Sequence, residues 1–184
     1  MAGKGEEHSI NLPTFLFLRM DVLILRHGKA EKRGEARKDD ADRLLTRKGA
    51  REIRVVSGWM VANGIAPDVV ATSPLKRARE TAEIAADGIS FRGEISVWDE
   101  LGPGPGPEAV RKRLEALPDA HVILLVGHEP QLSELIALLI GAGEGSRIAL
   151  GKGGLAKIGG LSPGGGEGGV LEWLITPDQI REMA

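Results

Sequence analysis

The stretch HVILLVGHEP (residues 121–130) decides the fold. His121–Val126 carries an unbroken apolar run of strand length and reads as the strongest strand in the chain. It breaks at Gly127-His128, and Pro130 opens a helix that continues through Leu139. A strand, a polar corner and a helix in direct succession form the repeating unit of an α/β fold.

The same unit recurs upstream. In DVLILRHGKAEKR (residues 21–33), Val22–Leu25 reads as a buried strand closed by a turn at Gly28. A charged connection follows over residues 29–43, and Thr46 caps a helix running to about Ala62, with Ala50, Ile53, Val56 and Met60 on one face. Asn63-Gly64 stops that helix. Asp68–Thr72 is a second strand. Ser73-Pro74 then offers a capping hydroxyl and a proline at the first helical position, which predicts a helix through LKRARETAEIAA. Ile95–Trp98 reads as a third strand, GPGPGP (residues 102–107) as a rigid loop, and Glu108–Leu117 as a short helix. Two last strands, near Gly154–Ile158 and Val170–Ile175, flank the glycine-rich SPGGGEGG and predict an antiparallel hairpin. The expected fold is α/β: a three-layer sandwich with a mostly parallel central sheet, helices on both faces and a C-terminal antiparallel hairpin.

A chain of 184 residues suits one domain, assigned to residues 20–184. The net charge of -2 gives no pull toward nucleic acid or an anionic membrane, and no basic stripe with interleaved aromatics is present. The absence of cysteine excludes disulfides, thiolate metal sites and a thiol nucleophile. Residues 1–19 read as a leader of unknown status. Its apolar part, Leu12–Leu18, is too short to span a bilayer and is interrupted by Pro13. No convincing export signal is found, so a cytoplasmic location is expected.

In a parallel sheet the carboxyl ends of the strands share one edge, where ligands bind. The first strand ends in Arg26-His27-Gly28, the second in Thr72-Ser73-Pro74 before a helix carrying Arg77, and the fourth in Gly127-His128-Glu129-Pro130. The topology therefore gathers two histidines, two arginines and two helix N-termini at one rim. Arginines grip phosphate oxygens in pairs, and helix N-termini favour anions. Phosphoryl transfer needs such positioning plus an in-line nucleophile, and a neutral imidazole supplies one. Nothing in this arrangement requires a metal. Ser73 is read mainly as a helix cap, His121 as structural, and His8 has no assigned role. The spacing of His121 and His128 fits no usual metal-ligand pattern. Trp59, Trp98 and Trp173 are expected to pack in the core or at its rim.

The order LRHG, TSPLKRARETA and VGHEP resembles the histidine phosphatase (phosphoglycerate-mutase-like) superfamily, from about Asp21 to the last strand. The segment DADRLLTRKG (residues 40–49) and the compact length are similar to the SixA-type phosphohistidine phosphatase branch. The resemblance implies His27 as nucleophile, with Arg26, Arg77 and His128 completing the phosphate pocket, and no cofactor. Mutases and sugar-phosphate phosphatases of the family usually carry a serine two positions after the Arg-His-Gly and an asparagine near the end of the motif. Here Ala30 and Arg33 stand there, and mutase activity is not expected.

Ester cleavage also needs an acid for the leaving alkoxide, and Glu100 in VWDEL is the best-placed candidate. Phosphohistidine needs such help less, because imidazole leaves more easily. Lys29, Arg33 and Glu129 are candidate substrate contacts, Glu129 having dipole compensation as its simpler role. The expected substrate is a phosphorylated protein or a small phosphorylated molecule, with no nucleic acid and no membrane partner. The leading expectation is a metal-independent phosphohistidine phosphatase. A broad phosphomonoesterase and a non-catalytic phosphate-binding module are the alternatives.

Overall fold

The computed structural model describes residues 19–32, 39–117, 119–143, 146–162 and 168–183. Residues 1–18 of the expected leader lie outside them. Among the described residues, strands β1 (Met20–Arg26), β2 (Val69–Thr72), β3 (Ile95–Val97), β4 (Val122–Gly127), β5 (Leu155–Leu161) and β6 (Val170–Ile175) form one sheet in the order β3-β2-β4-β1-β5-β6. The β3-β2-β4-β1 half is parallel, whereas β5 runs antiparallel to both β1 and β6. The expected C-terminal hairpin is thus joined to the parallel half.

Side chains alternate between the two faces of a strand, so each interior strand feeds two cores. Leu23 and Leu25 pack with Ile53, Val56 and Met60 of α1 (Arg47–Ala62) and with Ala78, Ala82 and Ala85 of α2 (Lys76–Gly88). Val22 and Ile24 face Val110 and Leu114 of α3 (Pro107–Glu115) and Leu132, Leu135 and Ile136 of α4 (Gln131–Leu139). Each of these leucines and isoleucines is fully or almost fully buried, which stabilises the fold by roughly 1.5–3 kcal/mol per side chain relative to exposure. A short α5 (Pro177–Met183) adds Ile180 to the layer of α1 and α2. Trp98 is buried in the opposite layer, and Trp59 meets Trp173 edge-on with ring centroids 5.0 Å apart.

This layering positions a crevice. The helix after β1 lies on one face of the sheet, and the helix after β4 lies on the other. Because β1 and β4 are neighbours, their carboxyl ends open between diverging helices, the point where open α/β sheets bind ligands.

The structure differs from the sequence expectation at three places. Helix α2 starts at Lys76, not at Ser73-Pro74, because the N–H of Ser73 is still donated to the carbonyl of Val126 in the ladder, at 2.9 Å. Among the described residues of the charged connection, Asp40–Asp42 forms a 3-10 turn. The C-terminal α5 was not expected, yet Thr176 and Gln179 form a reciprocal capping box in front of it.

Candidate active site

Sheet register builds the site. Arg26 pairs with Gly127, so the next residue on each strand, His27 and His128, is delivered to the same place. The N–H of His27 bonds the carbonyl of Gly127 at 3.1 Å, and the two imidazoles stand 5.0 Å apart between centroids. On the other side of β4, Thr72 pairs with Val126. That register brings Ser73 alongside, with its Oγ 2.7 Å from Nε2 of His128.

His27 is almost wholly buried. Its Nδ1 lies 2.7 Å from the carbonyl oxygen of Gly28. A carbonyl only accepts, so Nδ1 carries the hydrogen and the neutral ring keeps its lone pair on Nε2. The turn that makes this bond is itself held. The N–H of Gly28 donates to Oγ1 of Thr81, and Thr81 donates to the carbonyl of Arg77 one helical turn back. From below, Thr46 caps α1 by accepting from the N–H of Gly49 and donates to the carbonyl of Lys29.

The cations flank this pair. Arg26 donates from Nη1 to the carbonyl of Leu150 at 2.8 Å, and its buried Nε has no partner among the described residues. Arg77 is buried, with Nη1 on the carbonyl of Asp40 at 2.7 Å and Nη2 on the Asp40 carboxylate at 3.2 Å. Burial pushes His27 down from 6.5 to about 4, with Arg77, Arg26 and Lys152 adding to the effect and the bond to Gly28 opposing it. His128 is pushed down to about 3, chiefly by burial, then by His27 and Arg77, while Asp40 opposes. Both rings are therefore neutral at physiological pH.

A cleft of about 440 Å³ opens beside His128, lined by Asp40, Arg77, the Gly102–Gly106 loop, His128, Glu129, Pro130, Gln131 and Glu134. Gln131, from the start of α4, holds the loop by donating to the carbonyls of Glu100 and Pro105, both at 2.7 Å.

The structure thus brings together Arg26, His27, Arg77 and His128. Glu129 lines the cleft, with one carboxylate oxygen on the hydroxyl of Ser133. Lys29 is exposed next to the His27 turn. Glu100 lies on the 3-10 turn Asp99–Leu101, half-buried, with its carbonyl engaged by Gln131. Arg33 lies outside the described residues. His121 is exposed at the opposite end of β4. Sequence reasoning missed Asp40, Gln131 and Lys152, and it missed the bond from Ser73 to His128. Lys152 sits in a loop fixed to the site, where the N–H of Gly153 reaches the carbonyls of both Arg26 and His27. Among the described residues no group of three or more His, Asp or Glu side chains could hold a metal ion. No helix there is long and apolar enough to cross a membrane.

A buried neutral imidazole with a free lone pair, between two guanidinium groups and a second imidazole, is suited to attack on an anionic phosphoryl group. Comparison with known proteins points the same way. Residues 22–102 match the family model described as the histidine phosphatase superfamily (branch 1). An uncharacterised protein of Picosynechococcus sp. is 34% identical over 146 residues, covering 76% of this chain and 84% of the relative. Phosphohistidine phosphatase SixA of Escherichia coli is 31% identical over 122 residues, covering 65% of this chain and 74% of SixA. Among solved structures, the protein histidine phosphatase SixA complexed with tungstate superposes with a TM-score of 0.78 at 27% identity, over 88% of this chain and 99% of the other.

Proposed function

The chain belongs to the histidine phosphatase superfamily, in its SixA-type branch, and is a phosphatase; from that premise we propose that it removes phosphate from phosphohistidine on a protein, through a phosphorylated His27. The observation that carries this reading is the locked tautomer of His27, whose bond to Gly28 leaves Nε2 unprotonated in a ring held neutral. Nε2 attacks phosphorus opposite the scissile P–N bond. As the new N–P bond forms, the old one breaks and its electron pair stays on the substrate imidazole, which takes up a proton. Water then attacks phospho-His27, releasing inorganic phosphate and restoring the lone pair. Arg26, Arg77 and the neutral His128 bind the oxygens of the transferring group, and the two guanidinium groups offset its charge at each step. Lys29 and Glu129 contact the substrate around the phosphate.

Small phosphate esters form the second reading, favoured by the carboxylate of Glu129 on the cleft wall beside His128. An alkoxide needs a proton as it leaves, and Glu129 or Glu100 would donate it. Turnover of a phosphohistidine-bearing domain is compared with that of p-nitrophenyl phosphate, for wild type and His27→Ala in chelator-treated buffer. Fast loss of phosphate from the histidine substrate, abolished by the substitution, is the expected result. Turnover of the ester alone would overturn the phosphohistidine reading, and turnover that survives His27→Ala would remove His27 as nucleophile.

A further inference from the structure

We propose that Ser73 sets the tautomer of His128, placing its ring hydrogen on Nδ1, where it binds an oxygen of the transferring phosphoryl group; this rests on the phosphatase reading of the site. Ser73 is fully buried and does not cap α2, whose N-cap position is Leu75. Its Oγ has two neighbours among the described residues, the N–H of Leu75 at 3.3 Å and Nε2 of His128 at 2.7 Å. The first can only donate, so it takes a lone pair of the hydroxyl. If Nε2 also carried a hydrogen, Oγ would accept twice and its own buried hydrogen would have no acceptor. If Ser73 donates to Nε2, the hydroxyl is satisfied both as acceptor and as donor, and the one hydrogen left without an acceptor sits on His128, at the nitrogen that faces away from Ser73.

That choice fixes the other nitrogen. A neutral ring that accepts at Nε2 carries its hydrogen on Nδ1, and Nδ1 of His128 is buried with no partner among the described residues. A lone pair there would repel a phosphoryl oxygen, whereas an N–H attracts it. The two histidines then share one tautomer with opposite uses. In His27 the Nδ1 hydrogen is spent on Gly28 and frees Nε2 to attack. In His128 the Nε2 lone pair is spent on Ser73 and leaves Nδ1–H for the phosphate. Ser73 acts through His128 and is a positioning residue.

Nitrogen spectra of isotope-labelled wild-type protein at neutral pH distinguish protonated from unprotonated ring nitrogens. The expected result is a protonated Nδ1 and an unprotonated Nε2 in His128. Ser73→Ala should lose that single form and should lower kcat on the order of 10²-fold. Ser73→Thr keeps the hydroxyl and should recover both. Wild-type His128 protonated at Nε2 would overturn the proposal, as would Ser73→Ala that retains the wild-type tautomer and kcat. The ring nitrogens are read without turnover, so an inactive wild-type protein would strike the phosphatase reading and not the tautomer.

Discussion

His27 and His128 are neutral although they sit among cations, and the cations help to keep them so. Arg77 lowers both rings, adding to burial. Arg77→Ala should therefore raise the protonation midpoints of both histidines while lowering turnover by about 10²–10³-fold, through lost charge stabilisation of the phosphoryl group. NMR titration and steady-state kinetics check the two effects separately, and unmoved midpoints would deny the coupling. At this scale the sequence was readable wherever a residue stands at a strand end. Arg26, His27 and His128 are placed by register, and Arg77 by the first turn of the next helix. Asp40, Gln131 and Lys152 were not readable, because each reaches the rim from a loop or a helix start whose return path no periodicity encodes. Ser73 carried a misleading signal: its Ser-Pro pair suits a helix start, but its N–H is donated to Val126 at the end of the sheet ladder.

At the scale of elements, the turn after β1 depends on the close approach of α1. A Cβ at Gly49 would overlap the carbonyl oxygen of Lys29, a backbone atom with little freedom to move. Gly49→Ala is expected to push α1 away from the turn that carries His27, costing about 1–3 kcal/mol in stability and lowering turnover as well. Thermal unfolding and kinetics on the same preparation test this, and a variant with wild-type values for both would show that the turn tolerates the shift. The element order, the parallel half and the hairpin were legible because long apolar runs alternate with amphipathic ones. The attachment of β5 to β1 was not, since strand pairing depends on contacts distant in sequence. Helix α5 left a signal in Thr-Pro-Asp-Gln (residues 176–179), a capping box whose helix is too short for periodicity to register.

For the molecule as a whole, two buried neutral histidines make stability depend on acid. In the unfolded chain they take up protons as pH falls through 6.5, while in the fold they resist until about 4 and about 3. The unfolded state then binds more protons, so stability is fully present above 6.5 and is lost as pH falls toward those values, at about 1.4 kcal/mol per unit for each ring. A His27→Gln, His128→Gln double variant should show a flatter fall in urea-unfolding stability over that window, and an equal slope in both proteins would refute the burial of neutral rings. The position of these rings has another consequence. They stand at the ends of β1 and β4, interior strands in a sheet whose margins are β3 and β6. Substitutions along those margins alter how firmly the sheet is held without changing the Arg26–Gly127 register, so durability and chemistry are left free to evolve apart.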